Sequence, residues 1–251
     1  MSEQAIAARP QTIGIDGCRG GWVWIGSQGD DWHGGVVHRL EQLRPMLLSA
    51  GLCLIDIPIG LADGGSSERR CDREARALLG RPRASSVFRP PCRSALAAAD
   101  QDYPGVCAIN RTATGVALSR QTFNILPKMR EVDALLLRDS RLRGRVRESH
   151  PELCLWQMNE KQSMRFNKRS LAGRRERRAL LLEHAQGVDR MIDWLAARFL
   201  RRDLALDDAI DAAILAFSAR EIARSGNAHS VPATAPVDRL GLPMAILLPP
   251  A

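Results

Sequence analysis

No apolar stretch in these 251 residues approaches the ~18 residues needed to span a bilayer. Met1 to Gln11 lacks a basic region followed by an apolar block, so no secretory signal is expected, and residues 1–11 read as a flexible tail. The six cysteines (Cys18, Cys53, Cys71, Cys92, Cys107 and Cys154) form no CxxC pair and no disulfide-scaffold spacing. That absence points to reduced thiols and a cytoplasmic protein. His150 and Cys154 stand four apart, but no second pair completes a zinc site. Gly14, Gly17, Gly20 and Gly21 are not spaced as GxGxxG, and a strand rather than a helix follows them. The phosphate-binding helix N-terminus of a dinucleotide fold is therefore missing. Neither an internal repeat nor a low-complexity segment is present.

What is there is ordinary for a globular chain: 45% hydrophobic and 25% charged residues, enough for one large domain with a substantial core. Lys and Arg number 36 against 28 Asp and Glu, a net charge of +8, which favours an anionic partner. The basic excess clusters at Arg138 to Arg147 and at Arg165 to Arg178, and it is mostly arginine, suited to bidentate phosphate contact. The competing reading is a solvated basic face.

The pattern along the chain predicts strands at 12–16, 22–25 and 35–40, joined by short connections as an antiparallel meander. Glu41 to Ala50 has helical spacing. Residues 52–57 form a continuous apolar run, as in a strand buried on both faces, and Pro58 stops it. A helical crossover places this fourth strand parallel to the first and beside it. Helices are expected from Ser67 to Leu79, over most of 111–139 with a break or start at Pro127, from Arg175 to Arg202 as one or two, and from Leu206 to Arg224. The segment 81–93 reads as a proline-bearing loop, Val146 to Ser149 as a short strand, 231–236 as loop, and Met244 to Leu248 as a closing strand or packed extension.

Against this order the acids stand out. Asp16 ends the first apolar run and Asp56 ends the fourth. Parallel neighbours would put both at the carboxyl edge of the sheet, where open α/β sheets bind ligands. Asp208 and Asp211, three apart, share a face of the last long helix. Read alone, Asp207 and Asp208 are first-turn acids favoured by the helix dipole. Taken with Asp16 and Asp56, the pair forms a cage of oxygen ligands for Mg²⁺ or Mn²⁺. Two such ions ~3.5–4 Å apart can clamp the attacking and leaving oxygens of a phosphodiester.

The motif Gly14-Ile15-Asp16-Gly17-Cys18-Arg19-Gly20-Gly21-Trp22 resembles the opening of a family of predicted RNase H-like nucleases. The resemblance continues through Ile55-Asp56-Ile57-Pro58-Ile59-Gly60-Leu61, Arg70 to Arg76, Ser85 to Phe88, Pro127-Lys128 with Glu131 and Asp133, Glu148 to Glu152, Lys168 to Arg177 with Gly173, and Asp207-Asp208 with Asp211-Ala212. It implies an α/β fold with an RNase H-like core (three antiparallel strands, a helix, then parallel strands) and a helical insertion at about 62–140, in one domain spanning 12–251. It also implies a metal-dependent nuclease. Branched-DNA resolvases of the wider superfamily carry acids on the first and fourth strands and a pair three apart on the last helix. Asp16, Asp56, Asp208 and Asp211 match these positions, with Asp at the fourth strand where Glu is usual.

Other residues add to the expected site. Glu148 is a further ligand, a general base or a surface acid. His150 is a proton shuttle beside a metal-bound water or the shaper of a turn. Arg19, Ser85, Ser86, Lys128 and Lys168 are candidates for contact with substrate phosphate, while Ser85 and Ser86 also suit a turn cap. Trp22 and Trp24 read as core. The expected partner is nucleic acid, DNA or RNA, or a nucleotide phosphate. An actin-like or sugar-kinase-like ATPase or phosphotransferase is the rival, with a homodimer supplying its second half. A non-catalytic nucleic-acid-binding protein is the third reading.

Overall fold

In the computed structural model, residues 11–65 and 68–250 are described; the tail expected at 1–11 lies, apart from Gln11, outside them. The first three strands are β1 (Thr12–Cys18), β2 (Gly21–Gln28) and β3 (Asp31–Val37), paired antiparallel in sequence. A 3₁₀ turn at Leu40–Leu43 and helix α1 (Arg44–Ser49) cross over to β4 (Leu52–Ile55), which lies parallel to β1. Strand β5 (Val146–Glu148) then pairs parallel with β4, giving a mixed five-stranded sheet in the order β3-β2-β1-β4-β5. The apolar run stops being strand at Ile55 rather than at residue 57.

Between β4 and β5 lie α2 (Arg70–Arg83), α3 (Arg93–Ala97), α4 (Tyr103–Thr114) and α5 (Arg120–Arg138). Inside the loop expected over 81–93, α2 runs on to Arg83 and a 3₁₀ turn covers Ala84–Ser86; α3 begins at the last residue of that segment, and Gly80 takes φ 55°, which interrupts the end of α2. Pro127 does not break α5: the ring is tolerated on an exposed face, at the loss of one N–H from the helical ladder. After β5 come α6 (Pro151–Met158), α7 (Leu171–His184), α8 (Val188–Arg198) and α9 (Leu206–Ser225). The basic stretch after Arg175 is thus two helices, parted at Gly187, whose φ of 79° favours glycine. Strands β6 (His229–Val231) and β7 (Ile246–Leu248) close the chain as a small antiparallel ribbon. Among the described residues no helix is long and apolar enough to cross a membrane, and all six cysteines are buried without a disulfide.

Strand alternation divides the core into two layers. Ile13, Ile15, Trp24, Cys53, Ile55 and Val146 face one cluster with α1 and α5. Cys18, Val23, Ile25 and Leu54 face another with α6 to α9. Helix α9 is buried almost all round from Ala209 to Ala219, which its poor amphipathicity requires. It sits directly on β1. A side chain at Gly14 would run into the backbone of Ala212 and Ala216, so glycine there, facing the alanines four apart, lets main chain touch main chain.

Candidate functional site

Strand parity decides which acids meet. Gly14 and Asp16 point from β1 toward α9, and Asp56 follows Leu54 toward the same face, one residue beyond the end of β4. Hydrogen bonding continues one step there, since the Asp56 N–H donates to the Ile15 carbonyl (3.1 Å). Asp211, one residue before Ala212 on α9, is brought down onto both. Carboxylate oxygens of Asp16, Asp56 and Asp211 all lie within 4.8 Å of one another. Asp16 and Asp211 are buried and Asp56 is half-buried.

Little neutralises this cluster. The Gly17 N–H donates to Asp16 Oδ1 (2.6 Å) and Lys168 Nζ donates to Asp211 Oδ2 (2.6 Å). Burial, and then repulsion from Asp56 and Asp211, hold the Asp16 carboxyl well above its ordinary range. Burial raises Asp56 as well, against the opposing pull of His150 and Lys168. The donors are hard carboxylate oxygens, the set that Mg²⁺ and Mn²⁺ take. Opposite ligands of one octahedral Mg²⁺ stand about 4.2 Å apart, so small side-chain shifts let these three share one ion.

Asp208 is brought near but not into this group. Its carboxylate accepts from the Ala205 N–H (3.3 Å), bridging the first turn of α9. Burial, and after it Asp207 and Asp211, push its carboxyl up to about 6. Glu148 lines one small pocket with Asp56 and His150 but is not among the three acids that lie within 4.8 Å of one another. It pairs in register with Ile55, so it projects from the opposite face of the sheet. There it accepts from Arg69 (2.7 and 2.9 Å) and from the Ile59 N–H (2.6 Å). His150 shares a small pocket with Asp56; its Nε2 lies 3.4 Å from the Ser86 carbonyl and its Nδ1 has no partner.

A cleft of about 980 Å³ opens beside the cluster, along the Gly17 to Gly21 turn and the start of α9. Arg19, Lys128, Arg169, Arg174 and Arg201 line it, against Glu131, Asp207 and Asp208. Lys128 is placed by α5: Glu131, one turn on, accepts from the Trp22 indole (3.1 Å) and the Leu40 N–H (2.8 Å). The Lys128 ammonium then lies over the Trp22 ring, 4.6 Å from its centroid, and donates to the Gly21 carbonyl. Its stem fills the space that a side chain at Gly17 would need. Ser85 and Ser86 lie elsewhere, in a 3₁₀ turn whose Ser86 hydroxyl donates to the Arg83 carbonyl (2.8 Å). Arg174, Arg201, His38 and Asn124 were not expected at the site. They come from four separate parts of the chain; Arg174 lies in the basic stretch already noted, and no local pattern marks the other three.

The match to "Protein of unknown function (DUF429)" spans residues 14–237, from the strand that carries Asp16 to past α9, and the chain belongs to that family. No curated protein and no solved structure matches it.

Proposed function

We propose that this member of the family is a metal-dependent nuclease on an RNase H-like core. The observation that carries the reading is the convergence of Asp16, Asp56 and Asp211 within 4.8 Å, at the carboxyl ends of two parallel strands, beside an arginine-lined cleft. The sheet order and the antiparallel-then-parallel pairing support the core assignment. A magnesium or manganese ion held there would lower the pKa of a bound water and polarise a phosphoryl oxygen.

The chain's own residues do the rest. Asp16, with Oδ1 held by the Gly17 amide, and Asp56 beside it offer ligand oxygens. Asp208, at the cleft wall, can turn toward an ion from its weak bond to Ala205. His150, with Nδ1 unpartnered beside Asp56, is placed to take a proton from attacking water. Arg19, Arg174 and Lys128 face the cleft, where a phosphate backbone would lie. A binding protein could share the basic cleft, but it needs no cluster of three carboxylates opposed by one lysine.

The test is calorimetric titration with Mn²⁺, wild type beside Asp16→Asn, with cleavage of single-stranded, duplex, hybrid and branched substrates scored in the same buffers. Metal binding and cleavage are expected in the wild type, and both are lost in the variant. Cleavage that is independent of metal, or nucleotide turnover without cleavage, overturns the reading.

A further inference from the structure

The chain contains three lysines, Lys128, Lys161 and Lys168, among 36 basic residues. Two of the three stand at this site. An arginine fork spreads its charge over a plane, whereas a lysine ammonium is a compact point charge of the kind that can stand in for an ion. Lys168 is the one that touches the carboxylate cluster, 2.6 Å from Asp211, whose side chain is only 1% exposed.

The loop that carries it is built to hold it there. The Phe166 carbonyl accepts from Arg177, whose guanidinium is itself fully buried and held by Glu152 (2.6 and 2.8 Å). The N–H groups of Arg165 and Phe166 donate to the Glu176 carboxylate (2.8 and 3.1 Å). Ser170 caps α7 through the Gly173 N–H and donates its hydroxyl to the Asn167 carbonyl. At Gly173 the helix backbone presses on that same carbonyl so closely that no side chain fits. Every fixed point on this loop brackets Lys168, which would otherwise be a lysine on a surface turn.

We infer that Lys168 is a built-in cation of the carboxylate cluster, occupying the place of a second metal ion, so that the site takes a single divalent cation. The inference rests on the metal-site reading above and narrows it from two ions to one. The charges agree. Asp16, Asp56 and Asp211, without Asp208 at the rim, bring three negative charges, Lys168 cancels one, and one divalent ion cancels the other two. A second ion would leave an excess of positive charge, even with Asp208 counted, against the buried Asp16 and Asp211, which is costly. The ligands agree as well, because the oxygen of Asp211 nearest the ammonium is already engaged.

The test is Mn²⁺ titration of the full chain by calorimetry, with electron paramagnetic resonance on the same samples. Wild type is expected to bind one Mn²⁺ per chain and to show an uncoupled spectrum. Lys168→Gln is expected to bind two, with a spin-coupled pair, while Lys168→Arg, which keeps the charge, stays at one. Two ions in the wild type would overturn the inference and leave the metal site standing; that result needs no variant to fold. A Lys168→Gln protein that melts cooperatively yet still binds one ion would also overturn it. Binding of none by the wild type would overturn the metal-site reading and this inference with it.

Discussion

Two clusters of acids lie on opposite faces of the sheet, one around Glu148 at the end of β5, the other at the ends of β1 and β4. On one face Asp72 and Glu148 flank Arg69, whose guanidinium reaches both carboxylates and also the Ile59 and Gly60 carbonyls, all buried. On the other face Asp16, Asp56 and Asp211 share a single ammonium and one backbone amide. Cys71 makes the first cluster formally a candidate metal group too. Its oxygens, however, are already spent on a planar fork of donors that matches them, and its thiol is pushed far above its ordinary range by burial. The first cluster is finished as it stands. The second is left short of positive charge, and an incomplete polar network in a native fold calls for a partner from outside.

Removing one member of each cluster should have opposite consequences. Asp16→Asn is expected to abolish Mn²⁺ binding and cleavage, the largest effect of all. It should also raise the melting temperature of the metal-free protein at pH 7, because burial and its neighbours disfavour the ionised Asp16 carboxyl in the fold. A melting temperature that falls would show that the cluster is as settled as its counterpart. Arg69→Met strands two buried carboxylates and should cost about 3–5 kcal/mol in denaturant unfolding. An unchanged midpoint would erase the contrast between the two faces.

Gly14→Ala should cost about 1–3 kcal/mol by lifting α9 from β1, and should weaken Mn²⁺ binding more than a core substitution of equal cost, since it moves Asp211. The pH dependence follows from Asp208, held near 6 in the fold. Its folded value lies above its ordinary one, so its contribution to metal-free stability is present at low pH and is lost as pH rises through about 6. Metal affinity runs the other way. Calorimetry between pH 7.5 and 5.5 should show Mn²⁺ binding weakening by up to about tenfold per pH unit for each carboxyl that must first lose its proton. Ser85→Ala, an exposed side chain with no part in either cluster, should stay within about 0.5 kcal/mol and leave metal binding alone.

Much of this arrangement is legible in the sequence, and the failures have physical reasons. Apolar runs and breakers located β1, β4 and α9, and with them Asp16, Asp56 and Asp211, because each sits at the end or face of a strongly patterned element. Glu148 could have been set apart by parity alone: two residues after the core-facing Val146, it shares that residue's side of the sheet. The position of Asp208 suits both a ligand and a first-turn acid, and in the fold it makes the capping contact. Pro127 argues for a break that α5 does not make, because an exposed face tolerates the lost donor. The basic cleft is legible only in pieces: Arg19, Lys128 and the Arg165 to Arg178 stretch stand out in the sequence, but not that they share one wall, nor that Arg201 joins them. Arg19 and Arg201 come from turns, Arg169 from the loop before α7 and Arg174 from α7 itself, and only the folded chain brings them to one wall.

The seat of α9 on β1 has a mechanical consequence. Between most helices and sheets lies a layer of interlocked side chains that can yield, shrink or shift as neighbours change. At Gly14 that layer is missing, and the main chain of Ala212 and Ala216 rests on the strand itself. The spacing between Asp16 and Asp211 is therefore set by covalent geometry and backbone contact, the least compressible parts of a protein. Hydrostatic pressure or replacement of core residues elsewhere should squeeze and rearrange the rest of the molecule while this separation stays nearly constant.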